Sequence, residues 1–249
     1  MFLIHRTKRT HHKALFCVCL SISCFATTKP SLNAIKKNVI CSRNLSDGRV
    51  ANLISANYSS LRTLHTKRLL ESIGFDVRLV KSDFSPEHPS SKPWANRSAL
   101  IKALMLIISD KHRWGYIFED DITWNDLNFT VSLDGLMRAE KPDLLFQYLG
   151  VCRTENTGTE GQNGCGRCTH AMAITKEGAK EVIDFSTQYK PILSTGNVPH
   201  AEPYLDVIME EWCVQQGGFP ILGPYHHKFI PGHIGIFVQD RARFASQID

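Results

Sequence analysis

"RWGYIFEDDITW", Arg113–Trp124, joins two things that physical chemistry tends to separate. Trp114–Phe118 is a short run of aromatic and branched apolar residues, which reads as a buried strand. It ends in three adjacent carboxylates, Glu119, Asp120 and Asp121. Like charges packed together repel and are costly to desolvate. A hard divalent cation, Mn²⁺ or Mg²⁺, takes oxygen ligands and offsets that repulsion. On an extended strand Glu119 and Asp121 share one side and Asp120 takes the other; if the chain turns, Asp120 and Asp121 converge. The competing reading is a strand end fraying into solvent, with acids that keep it soluble.

The flanking sequence sets the fold class. Asn38–Arg43, "NVICSR", is a candidate first strand, and Ala51–Phe75 carries Leu53, Leu61, Leu64, Leu69 and Leu70 at helical spacing before Gly74. Phe75–Val80 alternates like a strand, and the three prolines of "KSDFSPEHPSSKP" mark a loop. Ser98–Asp110 predicts a mostly apolar helix and Asp143–Gly150 a buried strand. "THAMAITKEGAKEVIDFS" reads as strand, turn and helix, and Glu202–Gln216 as a helix. Strands alternating with helices predict an α/β sandwich on a largely parallel sheet. Ligands of such sheets bind beyond the carboxyl ends of the strands, which is where the acidic triplet stands.

Bulk properties narrow the rest. With 249 residues, 43% hydrophobic and 21% charged, the chain is ordinary globular protein. The net charge of +5 comes largely from Arg6, Lys8, Arg9 and Lys13 in an acid-free start, so charge does not point to nucleic acid. That start precedes the apolar run "ALFCVCLSISCFA", Ala14–Ala26, and small residues. Residues 1–26 therefore read as a signal peptide or signal-anchor, shorter than the ~20 residues of a full membrane span, and 27–37 as a short stem. The membrane is expected to be met only through this N-terminal segment. Sequons at Asn44, Asn57, Asn96 and Asn128 agree with a secretory route. Beyond the signal, the cysteines are Cys41, Cys152, Cys165, Cys168 and Cys213. Cys152 with Cys165 or Cys168 suits a disulfide, and the odd count leaves one thiol over. The lone C-x-x-C, Cys165–Cys168, lacks the second pair a zinc site needs.

Several segments together resemble glycosyltransferase family 25, which includes lipooligosaccharide and procollagen galactosyltransferases. "YIFEDDITW" looks like its strand followed by E-D-D. "VICSRNLSDGR", Val39–Arg49, resembles its first strand and adjoining N-L-x-x-R segment. "DLLFQYLGVC", "CTHAMAITKEGAKEVID" and "EPYLDVIM" resemble later segments in the same order, so the likeness runs from about Asn38 to Gln239. The resemblance implies a GT-A-like (Rossmann-like) α/β/α sandwich with a mostly parallel central sheet, spanning residues 38–249. It implies transfer of a hexose, galactose or glucose, from a nucleotide sugar such as a UDP-hexose to a hydroxyl of a glycan or glycoprotein, with inversion. Glu119, Asp120, Asp121 and His233 would hold Mn²⁺ or Mg²⁺, and Asp206 would be the base. Arg43, Asn44, Arg49 and Arg97 would meet the donor, and His170 and Ala171 the acceptor. The expected location is the lumen of the endoplasmic reticulum or Golgi, or outside the cell.

Other readings stand beside these. Asp206 is also placed as a helix N-terminal acid favoured by the dipole, and His170 as a strand cap. The family's "G-E-x-G-C-x-x-S-H" segment is replaced by "SKPWANRSALIKALM", Ser91–Met105, where Arg97 or Lys102 would take over donor contacts. That loss favours a non-catalytic carbohydrate-binding protein that retains the fold. A zinc hydrolase using His226, His227 or His233 ranks below both, because those histidines lie in a Pro- and Gly-broken segment.

Overall fold

Residues 48–83, 92–189, 204–225, 232–240 and 243 are described by the computed structural model. In chain order the elements are β1 (Val50–Ser55), α1 (Leu61–Ile73), β2 (Asp76–Lys81), α2 (Lys92–Ser109), β3 (Trp114–Glu119), β4 (Ile122–Trp124) and α3 (Leu133–Ala139). Next come β5 (Phe146–Cys152), β6 (Arg167–Thr175), α4 (Lys176–Gln188), α5 (Leu205–Gln215), β7 (His233–Gly235) and β8 (Phe237–Gln239). Six strands form one sheet in the order β2-β1-β3-β6-β5-β7, and β4 pairs with β8 beside it. β1 is parallel to β2 and β3, whereas β6 is antiparallel to β3 and β5, and β7 to β5. β2, β1, β3 and β5 therefore share one direction, with β6 and β7 opposed.

The pleat sorts side chains to two cores. From β3, Ile117 faces one side while Trp114, Tyr116 and Phe118 face the other; from β6, Met172 and Ile174 oppose Ala171 and Ala173. The first core is closed by Leu104 and Ile107 of α2, Val182 of α4 and Trp212 of α5. The second is closed by Leu70 of α1, Leu136 of α3, and Ile122 and Phe237 of the small β4–β8 pair. This is the expected α/β/α arrangement. Each large apolar side chain so buried contributes roughly 1.5–3 kcal/mol.

Local chemistry sets the element ends. Ser60 caps α1 by accepting the Thr63 N–H at 3.2 Å, and Gly74 ends that helix at a φ of 118° that side chains resist. Thr175 is both the last residue of β6 and the N-cap of α4, so no separate turn intervenes. Pro93 sits in the first turn of α2, where its missing N–H costs nothing, and this helix begins at Lys92 instead of Ser98.

One element departs from its expected type. Leu53 was expected on a helix, but Val50–Ser55 is strand β1 between β2 and β3. A strand covered on both faces loses its alternation, so a run such as "VANLIS" does not announce its period. Asn52 is buried there and donates to the Tyr116 carbonyl at 3.1 Å. The proposed strand Asn38–Arg43, the N-terminal signal and the stem lie outside the described residues. No helix among the described residues is long and apolar enough to cross a membrane.

Two disulfides tie the carboxyl end of the sheet. Cys152 pairs with Cys168, one of the two expected partners. Cys165 pairs with Cys213 of α5, which sequence spacing did not suggest. Glu210 of α5 reinforces the same loop, accepting from Thr154 Oγ1 at 2.7 Å, Asn156 Nδ2 at 3.1 Å and Arg167 Nε at 2.6 Å.

Where β3 meets α2 the fit leaves no room. A Cβ on Gly115 would lie 2.3 Å from Ile107 Cγ1, and the branched Ile107 has little freedom to yield. Gly115→Ala is expected to cost about 1–3 kcal/mol in urea unfolding. Combined with Ile107→Ala, the same added methyl should cost less; an unchanged cost would disprove the clash.

Candidate active site

The acidic triplet is a turn held from two sides. β3 ends at Glu119, Asp120 and Asp121 form the turn, and β4 leaves to pair with β8. From the α1 side, Arg62 Nε donates to Asp120 Oδ1 at 2.7 Å and Thr63 Oγ1 to Asp120 Oδ2 at 3.0 Å. Thr66 Oγ1 donates to the Asp120 carbonyl at 2.9 Å, and Arg62 Nη2 lies 3.5 Å from Asp121 Oδ2. From the β8 side, Gln239 Nε2 donates to Glu119 Oε2 at 2.7 Å, and the Asp240 N–H to the Asp121 carbonyl at 2.6 Å.

The three acids therefore have different roles. Both oxygens of Asp120 accept from α1, which anchors the turn. Glu119 is the strained one. Burial, then the charge of Asp121, then that of Asp206 push its carboxyl up to about 8, against the bond from Gln239. Asp121 raises the Glu119 carboxyl more than Asp120 does; the chain turns after Glu119, and Asp120 and Asp121 both approach Arg62, as the turn reading expects.

Asp206 stands in the first turn of α5, and its Oδ2 accepts the Cys168 N–H at 3.0 Å. Its charge is among those that raise the Glu119 carboxyl, although the two acids are 87 residues apart in sequence (206 − 119).

The expected histidines form a different group. His233 Nε2 lies 3.6 Å from Cys152 Sγ, and the His170 and His233 rings stack with centroids 5.4 Å apart. Among the described residues, Cys152, His170 and His233 are the one group of three whose donor atoms all lie within 4.8 Å of one another. The carboxylates do not close to that spacing with His233. His170 and Ala171 are 0% exposed, and Ala171 packs in the second core. Neither forms an open acceptor surface as they stand.

The expected donor contacts are also redistributed. Arg49 is at the amino end of the sheet, donating to the Trp114 carbonyl at 3.2 Å and to Glu140 Oε2 at 2.9 Å. Trp114 and Glu119 are five steps apart on β3, roughly 16 Å in an extended strand, so Arg49 is structural. Arg97 donates to the Ser186 carbonyl at 2.7 Å and joins α2 to α4. Lys102 pairs with Asp83 at 2.5 Å. Arg43, Asn44, His226 and His227 lie outside the described residues. Arg62 and Gln239 were not anticipated, because a partner 58 or 120 positions away leaves no local signal.

No family model matches the sequence, and no curated protein does. Among solved structures, a glycosyltransferase involved in glycosylation of the major capsid of PBCV-1 is 12% identical, with a TM-score of 0.40 over 71% of this chain and 81% of that one. The glycosyltransferase GlyE of Streptococcus pneumoniae TIGR4 is 12% identical, with a TM-score of 0.38 over 66% of this chain and 43% of that one. Its apo form is 14% identical at 0.38, over 70% of this chain and 45% of that one. Backbone agreement at this level does not decide function, and this chain spans less than half of GlyE.

Arg62 is buried with its partner, at 11% and 7% side-chain exposure. Removing one member of such a pair leaves an uncompensated charge, so Arg62→Met should cost about 3–5 kcal/mol in urea unfolding. Lys67→Met, which breaks the exposed pair with Glu71, should cost under about 0.5 kcal/mol. Equal losses would refute the bracing role.

Glu119 supplies a pH signature. Its folded pKa is raised, so the folded chain holds the extra proton between 4.5 and about 8, and stability falls as pH rises through that window. In chelator, Glu119→Gln should melt above wild type beyond pH 8, with the gap closing toward 4.5. A gap independent of pH would show that burial and neighbouring acids do not act on this carboxyl.

Proposed function

We propose that the chain is a metal-dependent glycosyltransferase of GT-A type, acting on a nucleotide-sugar donor. The observation that carries this reading is the Glu119 carboxyl at the end of β3, which burial and the charges of Asp121 and Asp206 push up to about 8. Hard oxygen donors such as these carboxylates suit a divalent cation such as Mn²⁺ or Mg²⁺. The resemblance to glycosyltransferase family 25 supports the same assignment. The two disulfides support the expected oxidising lumen.

In this reading Glu119 and Asp121 hold the cation, while Asp120 keeps the turn in place through Arg62 and Thr63. A bound cation would neutralise charge that develops on the leaving diphosphate. Gln239 orients the Glu119 carboxylate. Asp206 receives the proton of the acceptor hydroxyl as that oxygen attacks the sugar's anomeric carbon, giving inversion. The Cys168 N–H holds Asp206 Oδ2, which orients the carboxylate and leaves Oδ1 for the proton. The hexose is galactose or glucose on UDP, and the acceptor a glycan or glycoprotein.

The test is Mn²⁺-dependent turnover of UDP-galactose and UDP-glucose by the chain from Thr27 onward. Turnover should require metal and vanish in Asp121→Ala. Asp206→Asn should keep nucleotide binding while losing about 10²–10⁴-fold in transfer rate. Binding of sugars without turnover or metal dependence would instead identify a carbohydrate-binding protein on the same fold. Absence of both would overturn the reading.

A further inference from the structure

Cys152, Cys168, His170 and His233 meet on three neighbouring strands. Cys152 of β5 is the register partner of His233 in β7 and of Arg167 in β6 on its other side. Cys168 and His170 come next on β6, two residues apart. Gly150 makes the space: a Cβ there would lie 2.6 Å from His170 Nε2. The same Nε2 is 3.1 Å from the Phe237 carbonyl. A proton donated there orients the ring and puts the lone pair on Nδ1. Both histidines are buried, at 0% and 7% exposure. No acid is part of this group.

We propose that these four side chains form a thiol-gated zinc site. With the Cys152–Cys168 disulfide reduced, the two thiolates and the imidazoles of His170 and His233 bind one Zn²⁺. Cysteine and histidine in a set of four are the ligands tetrahedral zinc takes, whereas a hard cation goes to the carboxylates nearby. Zn–S bonds of about 2.3 Å and Zn–N bonds of about 2.0–2.1 Å give ligand–ligand edges of roughly 3.3–3.8 Å. The Cys152–His233 separation of 3.6 Å is already such an edge.

The exchange balances. A dithiol gives two electrons and two protons to the Cys152–Cys168 bond and becomes a disulfide itself. The two thiols formed lose their protons on binding Zn²⁺. One covalent link between β5 and β6 is thereby replaced by a metal that also engages β7. In the oxidised chain both sulfurs are spent on each other, and two histidines alone do not complete the set. The proposal does not depend on the glycosyltransferase reading, since it uses none of Glu119, Asp121 or Asp206.

The test uses wild-type protein, reduced with a phosphine and desalted without oxygen, beside the oxidised protein. Reduced chain should take up one Co²⁺ with thiolate-to-metal charge-transfer absorption, displaced by Zn²⁺; oxidised chain should show none. Mass spectrometry after maleimide treatment should find alkylation of Cys152 and Cys168 lost when Zn²⁺ is added, with Cys165 and Cys213 unchanged by it. The charge-transfer band should weaken in His233→Ala and persist in Asp121→Ala. A reduced wild type without the band, a band in the oxidised chain, or equal protection of all four cysteines would each overturn the proposal.

Discussion

Arg62 reaches from the first turn of α1 to a carboxylate at the far end of β3, and Asp121 lies beside the same guanidinium. Without a cation of this kind, a strand as apolar as β3 could not end in three buried-edge acids, because ionised carboxylates lose several kcal/mol of hydration on burial. The pairing is not free-standing. Ser60 sets the start of α1, and Thr63 is tied to Ser55 of β1 at 2.7 Å as well as to Asp120. The acidic turn, the first helix and the first described strand are consequently one polar assembly set into an apolar frame.

Neutralisation is deliberately incomplete in its effect. Arg62 serves Asp120 and Asp121, while Glu119 receives an uncharged amide from Gln239 and is pushed up by burial and by the charges of Asp121 and Asp206. A neutral donor such as Gln239 orients a carboxylate without cancelling its charge, which an arginine in the same place would do. β8 thus supplies a donor to Glu119, though Gln239 comes 120 residues later.

Carboxylates stand at the turn after β3 and in the first turn of α5, and sulfur and imidazole gather where β6, β5 and β7 meet. Cys168 joins the two regions, because its backbone N–H holds Asp206 while its sulfur belongs to Cys152. Its φ of 51° is unusual for a residue with a side chain. The disulfide and the Asp206 hydrogen bond together hold a backbone that neither would hold as firmly by itself.

Sequence by itself determined the periodic elements and the existence of an acidic site at a strand end. α1, α4 and α5 were legible from helical spacing, and β3 and β6 as short apolar runs, all of which are local properties. Whether the strand ran straight through the acids or turned was left open, and the structure turns at Asp120 and Asp121. Leu53 was misplaced because a strand buried on both faces has no alternating signature. Tertiary structure decided the rest: that Asp120 pairs with Arg62, that Arg49 and Arg97 donate to the Trp114 and Ser186 carbonyls, that His170 and His233 join Cys152, and that Cys165 pairs with Cys213. These are contacts between residues far apart in the chain. Their partners are chosen by sheet order and helix packing, and neither is written in the spacing of the residues themselves.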